Sequence, residues 1–141
     1  MNKFVAITLF CLFCMANFSS AMAGAPLEAS MKLMSIAYKQ LALDLKQPTD
    51  AGKPDYLALA ATMKKESLTA RGLVPKKVAN LPADQQAAMV ADYQKSIDAL
   101  GVTIDALTQD LQNSQWDDAT KQMAAIKQQM SNGHKKFRVK Q

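Results

Sequence analysis

Four stretches of this chain carry apolar side chains at alternating steps of three and four residues, and alternating β-branched runs are absent. Steps of three and four track the 3.6-residue helical turn, so each stretch presents one apolar stripe. A helix with one apolar stripe must bury it against another element, which points to an all-α bundle. Composition agrees, because Ala, Leu, Gln, Lys and Met, the strong helix formers, dominate.

The first helix is predicted from about Pro26 to Gln47, with Leu27, Met31, Met34, Tyr38, Leu41 and Leu45 as its stripe. Pro26 suits a first helical position, Glu28 complements the helix dipole, and Pro48 ends the helix. The second runs from about Pro54 to Arg71, with Tyr56, Leu59, Met63 and Ala70 inward and Gly72 as a C-terminal cap. A loop from Gly72 to Pro82 follows. The third helix runs from about Pro82 to Gln112 on Val90, Tyr93, Ile97, Leu100, Ile104, Leu107 and Leu111. The fourth runs from about Trp116 to Arg138 on Trp116, Ala119, Met123, Ile126, Met130, His134 and Phe137. Ser114 with Asp117 resembles a capping box. Four such helices joined by short loops predict an antiparallel up-down-up-down four-helix bundle. No repeat at a fixed period competes with that reading.

The first 23 residues have a different character. Lys3 precedes an uncharged apolar run from Phe4 to Met15, and Ala21-Met22-Ala23 closes the segment. A basic start, a short apolar run and a small-x-small ending form a secretory signal peptide, too short to span a bilayer comfortably. Residues 1–23 are therefore read as a signal peptide and 24–141 as one bundle domain, exported to the periplasm with no membrane anchor after cleavage. Cys11 and Cys14 both lie inside the signal, and each follows a Phe where lipidation needs a small residue. The processed chain then has no disulfide framework, thiolate metal site or thiol catalysis. It carries 16 basic and 12 acidic residues, a net charge of +4, dispersed along the chain. Dispersion argues against a nucleic-acid partner, which needs a clustered basic stripe. A monomer is expected.

Antiparallel packing brings the start of the first helix and the end of the fourth to the same end of the bundle. Met31 lies about 8 Å inside Pro26, and His134 about 6 Å inside Arg138, at the helical rise. Both are expected on apolar faces, so a thioether and an imidazole should meet at one depth. That donor pair suits a six-coordinate haem iron restricted to one-electron transfer. Lys135, Lys136, Arg138 and Lys140 cluster at the same end and could offset propionate charge. Each half of the pair also has an ordinary reading: methionine is common core filler, and a histidine near a C-terminus is often exposed. Copper is the alternative metal, because thioether and imidazole also suit Cu(I), and Met130 and His134 stand one turn apart. A cofactor-free, chaperone-like bundle is compatible with all four stripes. An enzyme is not expected, since no paired carboxylates lie on an apolar face and the processed chain has one His and no Cys.

These residues resemble a known family. Pro26-Leu27-Glu28-Ala29-Ser30-Met31 is similar to the Leu-Glu-x-x-Met opening of the soluble periplasmic cytochrome b562 family. His134-Lys135-Lys136-Phe137-Arg138 resembles its His-x-Lys-aromatic-Arg ending. Asp92-Tyr93 and Ile104-Asp105-Ala106-Leu107 resemble its third-helix segment. The resemblance implies a non-covalent haem b with Met31 and His134 as axial ligands, redox proteins as partners, and Tyr93 and Ile97 packed on the haem. The chain has no Cys-x-x-Cys-His, so the covalent haem of cytochrome c′ bundles does not apply. The chain departs from the best-known member in its longer loop after the second helix and in its basic net charge.

Overall fold

The structure, a computed structural model, describes residues 24–139. The expected signal peptide, residues 1–23, and Lys140 lie outside the described residues. Five helices follow in order: α1 Gly24–Asp44, α2 Lys53–Arg71, α3 Lys76–Ala79, α4 Ala83–Gln112 and α5 Trp116–Phe137. The four long helices form the antiparallel bundle that their stripes predict. Among the described residues there is no strand.

The bundle's direction is fixed by what meets at each end. Leu27, Ala70, Val78, Tyr93, Ile97 and Phe137 form one buried cluster. The start of α1, the end of α2, the first half of α4 and the end of α5 therefore share one end. Met34, Leu41, Met63, Ile104, Leu107, Leu111 and Ile126 are fully buried and fill the rest. At the far end Tyr56 and Trp116 meet edge to face, ring centroids 5.9 Å apart.

The stripes are shifted from their predicted centres. On α1 the buried row is Leu27, Ser30, Met34, Ala37 and Leu41, while Met31, Tyr38 and Leu45 are only partly buried. On α2 Leu59 gives way to Ala60, and Glu66 and Ser67 are buried beside Met63 and Ala70. A straight helix drifts relative to a strict heptad, so a row chosen for apolar character ends on the flank of the row that packs.

The ends of helices also differ from expectation. Gly72 caps α2 with φ −78°, so it supplies no left-handed turn. The predicted loop from Gly72 to Pro82 contains α3, anchored by fully buried Val78. Ser114 does not cap α5: Gln115 holds that position without a side-chain cap. Ser114 instead takes φ 55° and donates its hydroxyl to Asp50 Oδ1 at 2.6 Å, tying the α4–α5 turn to the α1–α2 turn. That bond, helped by Lys53, holds the Asp50 carboxyl below the ordinary range.

Charged pairs fasten α4 to its neighbours. Lys64 reaches Asp105 Oδ2 at 2.6 Å and the Gly101 carbonyl at 3.2 Å. Arg71 forks onto Asp98 at 2.6 and 3.1 Å. Lys136 of α5 pairs with Asp92.

Tyr93 is the buried polar anchor of the end cluster. Its hydroxyl donates to the Ala70 carbonyl at 2.8 Å, and burial pushes its pKa up from 10.0 to about 12. Because the folded pKa lies above the unfolded one, this stabilisation is whole below pH 10.0 and is lost as pH rises through about 12. Tyr93→Phe is expected to cost about 1 kcal/mol at neutral pH and to flatten the alkaline loss of stability. Urea titrations of both proteins across that window measure the difference.

Candidate haem site

The four seams of the bundle are not equivalent. α1 packs along α2, α2 along α4 and α4 along α5, whereas α1 and α5 scarcely touch. A groove opens along that fourth seam, lined by Ser35, Tyr38 and Lys39 of α1 and by Lys127, Met130, Ser131, His134 and Lys135 of α5. Its volume is about 370 Å³, within the ~300–1,000 Å³ range of small-molecule sites.

The local sequence explains why this seam stays open. Burial on α5 follows Ala119, Met123, Ile126 and Phe137, with Met130 partly buried. Between Met130 and Phe137 the row can step through either Gly133 or His134, and the structure leaves Gly133 partly buried and His134 exposed. His134 therefore does not sit on the buried face as the stripe predicted. It is exposed, one position to the side, and lines the groove. Gly133 is partly buried, and a Cβ there would meet no neighbour within 4 Å.

Met31 also departs from full burial. It is partly buried and packs on both clusters, joining the main core to the group of Leu27 and Phe137. The structure thus places Met31 on α1 and His134 on α5, toward the shared end of the bundle and on the flanks of the two packed rows. Tyr93 and Ile97 are not among the groove's walls. They are buried in the end cluster, where Tyr93 meets Phe137 edge to face at 5.2 Å.

The basic residues expected at the open end divide. Lys135 lines the groove. Lys136 turns to Asp92 on α4 instead, because its position on α5 faces that helix. Arg138 is exposed just beyond the helix, and Lys140 lies outside the described residues. Lys39 and Lys127 also line the groove, although neither belongs to an apolar stripe. Each sits beside a stripe, at a flank position that a helical wheel would have flagged.

Tyr38 and Met130 supply the groove's larger apolar surfaces, and burial raises the Tyr38 pKa, keeping its hydroxyl protonated. Among the described residues, no group of three or more His, Cys, Asp or Glu could hold a metal ion. The donors lining this open, largely apolar seam are the His134 imidazole and the Met130 thioether, both on α5; Met31, packed on the two core clusters, is not among its walls. That set is too sparse to enclose a bare ion, whereas a macrocycle brings four ligands of its own and needs at most two more. A haem in this seam would be held by His134 from its wall, would reach Met31 only beyond that wall, and would meet Lys39, Lys127 and Lys135 with its acidic side groups.

Functional residues can be told from structural ones without the cofactor. His134→Ala is expected to leave the stability of haem-free protein within about 0.5 kcal/mol, since the side chain is exposed. Met34→Ala, three residues from Met31 in a fully buried position, should cost ~2–5 kcal/mol. Thermal or urea melts of the two apo variants check this.

The family model described as cytochrome b562 matches residues 26–138. The matched segment contains both Met31 and His134. No curated protein and no solved structure matches the chain.

Proposed function

The chain belongs to the cytochrome b562 family, electron carriers that bind non-covalent haem b, and we propose that it is a periplasmic one-electron carrier with a six-coordinate haem in the α1–α5 seam. The observation that carries this reading is the open seam itself, with an exposed imidazole on one wall and a partly buried thioether toward the same end of the other helix.

His134 contributes a σ-donating imidazole from α5, and Met31 a soft thioether from α1 that favours reduced iron. Bound there, the haem supplies a one-electron iron couple. Were His134 and Met31 both to hold the iron, oxygen or a substrate would have no place on it, which supports transfer over turnover. Tyr38 and Met130 shield the site from water, and Lys39, Lys127 and Lys135 offset negative charge at its mouth. The short basic-apolar leader, residues 1–23, supports export. Among the described residues no helix is long and apolar enough to cross a membrane.

Ligands on the two helices that scarcely touch also tie those helices together. Haem binding is therefore expected to raise the melting temperature, by the equivalent of about 2.7 kcal/mol when free haem is a hundredfold above its Kd. The reduced, haem-loaded protein should show a low-spin α-band that Met31→Ala and His134→Ala each abolish. Survival of the band in both variants, or its absence in the wild type, refutes the assignment. Copper would have to rely on Met130 and His134, one turn apart on α5, and titration of the haem-loaded protein with Cu(I) should leave the band unchanged.

A further inference from the structure

We propose that the outward face of α1 is the docking surface for an acidic redox protein, with Lys32 and Lys39 steering it and Leu33, Ile36 and Leu43 seating it. This deepens the electron-carrier reading and rests on it.

Leu33, Ile36 and Leu43 are 49%, 54% and 56% exposed, half of the six large apolar residues so exposed among those described. Single exposed apolar residues are ordinary, but a shared face is not. At 3.6 residues per turn these three and the two lysines fall within about a third of the circumference of α1. The row from Leu33 to Leu43 is ~15 Å long at the helical rise.

The charge of this face is not used inside the molecule. The five ion pairs among the described residues engage Lys53, Lys64, Arg71, Lys121 and Lys136, and no lysine of α1. The carboxylates of α1, Glu28 and Asp44, stand near its two ends. Across the groove, α5 has no acidic residue after Asp118. α4, by contrast, holds Asp84, Asp92, Asp98, Asp105 and Asp110 against the single Lys95. Three of those five carboxylates are paired with Lys136, Arg71 and Lys64, whereas the lysines of α1 are in no ion pair among the described residues, and unpaired positive charge on the groove side orients an approaching acidic partner.

Lys39 belongs both to this face and to the groove wall, so a protein seated on α1 lies beside the redox site. Three apolar side chains with a lysine border match the small footprint of transient electron-transfer encounters. A helix that lies in a bilayer surface usually carries a longer apolar face with Trp or Phe, and this face has no aromatic residue.

The test uses haem-loaded protein and stopped-flow reduction by an acidic plant-type [2Fe–2S] ferredoxin as donor. The second-order rate constant should fall about tenfold from low to high salt. Lys32→Glu should lower the low-salt rate several-fold more than Lys65→Glu, which makes the same charge change on α2. Leu33→Ser with Ile36→Ser should slow transfer while keeping its salt dependence. Equal effects of the two lysine variants, salt-insensitive transfer, or no effect of the serine variant overturns the proposal. Flotation with phosphatidylglycerol vesicles that the serine variant abolishes, alongside salt-insensitive transfer, would assign the face to a bilayer instead. The α-band of every sample separates the two levels of inference. A missing band in wild type refutes the carrier reading and this proposal with it, whereas a normal band with insensitive transfer refutes the docking face alone.

Discussion

The packing of α4 between α2 and α5 is the constraint on which the candidate site depends. Ile104, Leu107 and Leu111 are fully buried there, and close packing of such side chains leaves little freedom for the neighbouring helices to shift. Lys64 with Asp105, Arg71 with Asp98, and Lys136 with Asp92 then set the rotation of α2 and α5 about α4. Exposed pairs of this kind contribute little to stability, so their effect here is mainly on register. Once α2 and α5 are placed, and α1 is seated on α2, the distance left between α1 and α5 is decided. The groove is what remains of that fourth seam.

Tyr38 and Met130 pack against the main core and also line the groove, while His134 is exposed there. A largely apolar wall of this kind favours a flat, apolar group by burial. Placing the two donors on helices that are far apart in sequence also links binding to the integrity of the bundle.

Charge is distributed with a comparable logic. The carboxylates of α4 are partly neutralised by partners on α2 and α5, while lysines on the groove side have no such partners among the described residues. Net charge alone, +4 beyond residue 23, does not reveal this polarity. It arises because an antiparallel bundle sorts residues by helix face, so that paired and unpaired charges end on different sides.

The four helices, their antiparallel order and the shared end of Met31 and His134 were legible in the sequence, because steps of three and four residues and short loops leave one packing solution. Leu41, Leu107 and Ile126 could be placed in the core by periodicity alone, since their positions near the middle of each stripe tolerate the drift of a real helix. Positions at the stripe edge could not. That Met31 is only partly buried and His134 faces a groove turns on a rotation of a few tens of degrees, which periodicity does not resolve. The local sequence of Ser114 permits a cap, but Asp50, 64 residues away, accepts its hydroxyl instead. The open α1–α5 seam has no local signal at all. It is a difference between three packed interfaces and a fourth, and only the tertiary structure, in which all four compete for the same side chains, decides it.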